Sequence, residues 1–236
     1  MSLDEAVLDD PFGNALRGRQ RSFARTHGTA IAYRPDVSVF FAHPEPLTDA
    51  VYADLATLAG PGQTLGLRDR HVPLPDGWTV AGTFGMVQYT GVDVPGVPDD
   101  ELVVLGPADV AEMTALVELT NPGPFLPRTI ELGRYLGYRD PATGRLLAMG
   151  GERARPDGWT EISAVCTHPD ARGRGLARRL VAAVAAGIRD RGDEVFLHTT
   201  EDNPARRLYE SMGFVHRNTV TLEIVRVPRR PGVPRQ

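Results

Sequence analysis

The stretch Val165-Cys166-Thr167-His168-Pro169-Asp170-Ala171-Arg172-Gly173-Arg174-Gly175-Leu176 decides how this chain is to be read. An apolar, strand-like run over 162–166 feeds a short loop. The loop closes on Arg172-Gly173-Arg174-Gly175, and a helix-forming sequence opens at Leu176. This order leaves backbone N–H groups without partners at the start of a helix. Glycines there let the backbone come close to a ligand, and the positive end of the helix dipole favours an anion. The segment therefore predicts a phosphate or pyrophosphate site. A tight strand-to-helix turn with no ligand is the plainer alternative.

Two phosphate-binding patterns fail on residue type. Gly-x4-Gly-Lys-Ser/Thr needs a lysine, and all 26 basic residues of this chain are arginine. A dinucleotide fingerprint needs a third small residue where Arg178 stands, and no acidic residue closes a following strand to read a ribose. Arg172-Gly173-Arg174-Gly175-Leu176-Ala177 does follow Arg-x-x-Gly-x-Gly/Ala. Further on, Asn203-Pro204-Ala205-Arg206-Arg207-Leu208-Tyr209-Glu210-Ser211-Met212-Gly213-Phe214 reads as a short helix ending near Leu-Tyr, a glycine stop and the entry to a strand. On these two segments, with a strand at 195–199 between them, the chain resembles the GNAT superfamily of acyl-CoA N-acyltransferases. The resemblance covers residues 101–227. The run from Trp159 to Pro169, followed by Arg-Gly-Arg-Gly-Leu, is similar to the subgroup with glycine N-acyltransferase-like C-terminal domains.

The resemblance implies an α/β fold, with a mixed, splayed central sheet and flanking helices. It implies acetyl-CoA as co-substrate and no metal. The pantetheine arm would lie along the central strand as a surrogate neighbour, touching the backbone of Val165, Cys166 and Thr167. Arg172, Gly173, Arg174, Gly175, Leu176 and Ala177 would surround the pyrophosphate, and Asn203 and Arg206 would add contacts. The family has Asn seven residues before the tyrosine of its second signature. Here Asp202 stands there and Asn203 is one residue late, which puts that contact in question. Tyr209 is implied as the general acid. A phenol with an ordinary pKa of about 10 stays protonated at neutral pH and can donate to a departing thiolate. A packing tyrosine is the plainer reading.

For a base, Glu161 is the first candidate. Strict alternation puts it with Ser163, Val165 and Thr167 on one face of the central strand, near the acyl end. An exposed strand carboxylate with no role is the alternative. Glu131 and His198 are weaker candidates. Cys166 lacks a paired His and reads as a small buried side chain rather than a nucleophile. The six histidines show no metal spacing, and one cysteine cannot complete a zinc site. The proline-rich run 122–128, with Phe125, lies where GNAT proteins build the acceptor wall. There Arg128 either meets an acceptor carboxylate or is an exposed arginine at a helix start.

The 236 residues are 42% hydrophobic and 24% charged, as in soluble globular proteins. The net charge of −4 offers no basic field for nucleic acid, and no apolar run is long enough to span a bilayer. The N-terminus lacks the basic-then-apolar order of a signal peptide, and a single cysteine suits a reducing cytosol. These features predict a cytoplasmic protein, monomer or homodimer, acting on a small-molecule or peptide amine.

Residues 92–100, rich in Pro, Gly and Asp, read as a linker. It would divide an N-terminal α/β region, 1–91, from a catalytic domain, 101–227, with a disordered tail over 228–236. Expected strands are 29–33, 37–41, 80–89, 102–105, 135–138, 145–150, 159–167, 195–199 and 219–225. Expected helices are 14–25, 47–58, one capped by Asp109, a short one at 129–134, and one from Gly175 with Leu176, Leu180, Val184 and Ile188 on its buried face. Pro-Asp-Gly-Trp-Thr occurs at 75–79 and again at 156–160. Convergent turns explain this, and a decayed duplication leaving a degenerate GNAT-like lobe is the alternative. The function expected is transfer of an acetyl or short acyl group from CoA to a primary amine, by direct attack in a ternary complex. The rival is a non-catalytic CoA-binding regulatory or protein-interaction module.

Overall fold

A computed structural model gives the fold and describes residues 4–229. In chain order it runs α1 (Pro11–Arg17), β1 (Ala24–His27), β2 (Ala30–Tyr33), β3 (Phe41–Ala42), α2 (Asp49–Ala59), β4 (Thr64–Arg68), β5 (Thr79–Thr90), β6 (Leu102–Leu105), α3 (Val110–Thr120), β7 (Tyr135–Arg139), β8 (Leu146–Glu152), β9 (Trp159–Thr167), α4 (Leu176–Arg189), β10 (Glu194–Thr200), α5 (Arg206–Ser211) and β11 (Val215–Arg226). Eight strands make one mixed sheet in the order β4-β11-β5-β10-β9-β8-β7-β6, and β1-β2-β3 make a small separate one.

The sheet opens in its middle. β9 and β10 are parallel and pair only over Trp159–Glu161 and Glu194–Phe196. Beyond that point β10 stays paired with β5, and β9 stays with β8. Their facing edges part. β9 also carries a bulge: its register against β8 shifts between Met149 and Gly151, and Ala164 has a φ of 54°. A bulge adds a residue to one strand and bends it.

Helices cover both faces. The apolar stripe of α4, including Leu176, Leu180, Val184 and Ile188, is buried with Tyr138, Leu147, Ile162, Leu197 and Tyr209. Full burial of a side chain such as Leu180 contributes about 1.5–3 kcal/mol. On the opposite face Met113, Leu116 and Val117 of α3 pack with Leu105, Tyr135, Met149 and Cys166.

The first 91 residues do not stand apart. β5 lies between β10 and β11, and β4 pairs with β11 at the sheet edge. Among the described residues this region forms no second splayed sheet. Its core of Val51, Leu55 and Leu58 on α2 is shared with Leu65, Leu67, Val225 and Val227. The segment 92–100, expected as a linker, is a packed crossing over α4. Val94 is fully buried, Val97 N–H donates to the Ala182 carbonyl at 3.1 Å, and Arg179 grips Asp99 at 2.6 Å. A Cβ on Gly96 would stand 2.7 Å from the Ala186 Cα, so the crossing needs glycine there.

Several expected bounds shift. The helix placed at 14–25 starts earlier and stops sooner. Asp10 caps it through the Gly13 N–H at 3.1 Å, Pro11 occupies its first turn and Gly18 ends it. The residues after it make a short 3-10 turn and then β1. The helix expected at 129–134 is a 3-10 turn over Thr129–Leu132. The last strand begins at Val215 rather than 219 because it pairs along the whole of β5. The strand expected at 37–41 is reduced to β3, and β4 was not foreseen. Of the expected tail, residues from 230 onward lie outside the described residues.

Candidate active site

β9 delivers the chain to a single turn of 3-10 helix, Pro169–Ala171, capped by His168, whose Nδ1 accepts from the Asp170 N–H at 3.1 Å. The loop then passes Arg172 and reaches Gly173 and Gly175, at φ 78° and 74°. Both are left-handed, where a Cβ is strained, and beyond the adjoining residues no atom of the described residues lies within 4 Å of where a Cβ would stand. Gly175 is the N-cap of α4 and offers no side chain to cap it. Only at Arg179 does an N–H find a carbonyl, that of Gly175 at 3.2 Å. The N–H groups of residues 173–178 have no acceptor among the described residues. An uninterrupted run of free donors beside open space, at the positive end of a fourteen-residue helix, is a fit for a diphosphate.

Charge reinforces it. Arg172, Arg174 and Arg178 are exposed. Arg174 donates to the Tyr138 hydroxyl at 3.1 Å, its guanidinium 5.3 Å from the centre of that ring. Arg178 donates to Ser211 Oγ at 2.5 Å, tying α4 to α5. Leu176 anchors the helix start by its buried side chain, and Ala177 is half-buried beside it.

Val165, Cys166 and Thr167 lie on β9 past its last pair with β10, so their strand edge faces the opening. The Cys166 side chain is buried under α3, and burial pushes its thiol up to about 11. Two threonines lie on these strands beyond the last β9–β10 pair, Thr167 on β9 and Thr199 on β10, and the Oγ1 of each is buried without a hydrogen-bond partner among the described residues. Sequence reasoning did not single out Thr199. A lone threonine in a strand carries no signal until its neighbours are known.

Tyr209 is 8% exposed, in the core beneath α4, with its ring 5.8 Å from that of Phe214. Its hydroxyl makes no hydrogen bond within the described residues, and burial pushes its pKa up to about 12. The phenol therefore stays protonated throughout the physiological range. Asn203 uses its Oδ1 to accept from the Ala205 N–H at 2.9 Å at the entry to α5, leaving its Nδ2. Arg206 donates to the Tyr89 hydroxyl at 3.0 Å and the Glu201 carbonyl at 2.8 Å.

Glu161 corrects the expectation of an accessible base. It is fully buried, and both its oxygens are taken. Arg153 donates at 2.8 and 2.6 Å, His198 Nδ1–H at 2.7 Å and the Ala154 N–H at 3.2 Å. Burial alone would raise its pKa. The Arg153 guanidinium and His198 outweigh that and hold the carboxyl well below its usual range. Such a group does not collect a proton from an amine. Nor does it share a face with Val165 and Thr167. The bulge at Ala164 breaks the alternation, so Ala164 packs under α3 whereas Val165 packs under α4. The other base candidates are also engaged. Glu131 pairs with Arg128 at 2.6 Å, and the His198 Nε2 accepts from Gln88 at 3.0 Å. Arg128 further binds Asp36 at 2.8 Å, tying 122–128 to the N-terminal region, and Phe125 is core against Tyr135. No group of three or more His, Cys, Asp or Glu is arranged to hold a metal among the described residues.

The family model for FR47-like proteins matches residues 135–222. The crystal structure of a candidate GNAT-family acetyltransferase from Novosphingobium aromaticivorans is 37% identical, with a TM-score of 0.83 over 94% of this chain and 98% of that one. A GCN5-related N-acetyltransferase from Kribbella flavida shares the fold at 17% identity, with a TM-score of 0.60 over 98% and 97% of the two chains. The mycothiol acetyltransferase of Thermomonospora curvata is 42% identical over 84 residues, 35% of this chain. That match spans only 27% of the relative's own length.

Proposed function

The chain belongs to the GNAT family, and on that premise we propose that it is an N-acetyltransferase. It moves an acetyl or short acyl group from CoA to a primary amine, on a small molecule or a peptide, by direct attack within a ternary complex. The observation that carries this reading is the run of unpartnered N–H groups from 173 to 178, set at the end of a strand that has parted from its neighbour.

Acetyl-CoA, when bound, supplies an acetyl group already activated as a thioester. The loop binds its diphosphate by backbone donors, with Arg172, Arg174 and Arg178 adding positive charge. The free edge of β9 at Val165, Cys166 and Thr167 orients the arm. These groups act by positioning, which removes much of the entropic barrier to a two-substrate reaction. Tyr209, in the core beneath α4, keeps a proton on its hydroxyl. It donates where negative charge gathers on sulfur, a hydrogen bond worth most in the transition state. With Glu161 locked to Arg153 and Glu131 to Arg128, neither of these carboxylates takes the amine's proton. The acceptor reacts as its free base drawn from solution, and the proton its nitrogen sheds on acylation passes to solvent, from which the Tyr209 phenolate recovers the proton it gave to sulfur.

The engagement of Glu161 is also what favours the second reading, a CoA-binding module without turnover. Thiol release from acetyl-CoA, measured with and without a panel of primary amines, separates the two. The enzyme reading predicts amine-dependent release that rises with pH in step with the free-base fraction of the acceptor. Saturable acetyl-CoA binding with no release for any amine supports the second reading instead. Among the described residues no helix is long and apolar enough to cross a membrane. We place the protein in the cytoplasm, as monomer or homodimer.

A further inference from the structure

We propose that Tyr89 is a positioning residue for the reaction: its hydroxyl, carried by a strand of the N-terminal region, clamps α5 and so sets where the Tyr209 phenol points. This rests on the reading above, in which Tyr209 protonates sulfur, and it gives residues 79–90 a part in the chemistry. Tyr209 has no polar contact of its own to fix it, and burial alone acts on its hydroxyl. The direction of its ring is therefore inherited from α5. That helix has six residues, too few to hold a shape by itself, and its N-cap, Ala205, brings no side-chain acceptor to the first turn.

Tyr89 supplies the fixed point. It is fully buried on β5, opposite Leu197 of β10 and His216 of β11, so its ring stands on an interior strand of the sheet. Its hydroxyl spends both of its capacities on α5. It donates to Glu210 Oε1 at 2.6 Å and accepts from Arg206 Nε at 3.0 Å. Arg206 and Glu210 are one helical turn apart, on one face of α5, and Tyr209 lies between them in sequence. One buried oxygen thus holds both ends of the turn that carries Tyr209. The clamp extends into the preceding loop. Arg206 also donates to the Glu201 carbonyl at 2.8 Å, and the Glu201 N–H donates back to the Gly85 carbonyl of β5 at 2.9 Å.

A bond from a phenol to a carboxylate is charge-assisted and directional, so it fixes orientation as well as contact. Arg178 ties Ser211 to α4 at the far end of α5 and leaves the turn 206–210 to Tyr89. The rings of Tyr89 and Tyr209 are neighbours, with centres 6.5 Å apart, so a shift of one is felt by the other. Misplacing a reacting group by about 1 Å costs up to about a hundredfold in rate while the fold survives.

The test is a double-mutant cycle between Tyr89→Phe and Tyr209→Phe. It is read as kcat for thiol release from saturating acetyl-CoA with the most active primary amine of the panel. Phenylalanine keeps the ring and removes only the hydroxyl. In the wild-type background Tyr89→Phe should lower kcat about five- to thirtyfold and leave acetyl-CoA affinity, measured by calorimetry, within about twofold. In the Tyr209→Phe background the same change should cost less than about twofold, because no phenol is left to aim. A merely structural hydroxyl would lower kcat by the same factor in both backgrounds. Glu210→Ala, on the exposed side of α5, removes one half of the clamp and should repeat the pattern with a smaller loss. It carries the test if Tyr89→Phe does not unfold cooperatively. Equal losses in both backgrounds, an acetyl-CoA affinity that falls in step with kcat, or full activity of both clamp variants beside an impaired Tyr209→Phe overturns this inference and leaves the acetyltransferase reading standing. Full activity of Tyr209→Phe overturns the role of Tyr209 and this inference with it. Wild-type protein that releases no thiol for any amine overturns the enzyme reading as well.

Discussion

Glu161 lies between a guanidinium and an imidazole, and its charge belongs to the interior of the protein. Glu161→Gln would leave Arg153 buried without its counter-charge, which costs about 3–5 kcal/mol. Urea unfolding at neutral pH should show that loss. The dependence on pH follows from the depressed carboxyl. Its contribution is full above the ordinary carboxylate pKa and is lost as pH falls through the lowered folded value. The gap between wild type and Glu161→Gln should therefore narrow in acid. A constant gap down to the acid transition would mean that the carboxylate is not the charged partner. Tyr209 is the contrasting case, a buried side chain with its polar end free. Tyr209→Phe should lower kcat by about ten- to a thousand-fold and leave acetyl-CoA affinity nearly unchanged, because the hydroxyl acts on charge that develops only in the transition state. Full activity with a true acceptor would make the tyrosine a packing residue.

Among the elements, β9, its loop and α4 were the most legible in sequence. The chemistry of anion binding demands glycines and a helix start at fixed places, and Gly173, Gly175 and the α4 stripe stand there. The opening beside β9 was expected only through family likeness. Its bulge was not foreseen, because Ala164 at φ 54° has no residue-type signal of its own. Glu161 was misread for the same reason. Its partners Arg153 and His198 lie on either side of it in sequence, and only the pairing of β8, β9 and β10 brings them together. The segment 92–100 shows a further limit of composition. Proline and glycine that read as a linker here shape a tight crossing over α4. Gly96→Ala should destabilise the protein by about 1–3 kcal/mol through a clash with backbone at Ala186. Thermal unfolding checks this. An unchanged Tm would mean that the crossing is loose.

At the scale of the molecule, the N-terminal region completes the sheet instead of standing beside it. β5 supplies the neighbour that β10 uses once it leaves β9, so residues 79–90 help to keep the opening open. Long-range pairing of this kind cannot be read from local periodicity, and the first 91 residues were accordingly the least legible part of the chain. The region has no second loop of the 172–177 type. The whole account rests on that single loop holding the diphosphate of an acyl-CoA. Calorimetric titration of acetyl-CoA into wild-type protein and into Gly175→Asp tests it most directly. In the variant a strained side chain projects from the loop and places a negative charge beside the free N–H groups. The account predicts one acetyl-CoA bound per wild-type chain and no measurable binding to a Gly175→Asp variant that still unfolds cooperatively. Absence of binding to the wild type, a second equivalent bound per chain, or undiminished binding to the variant would contradict it.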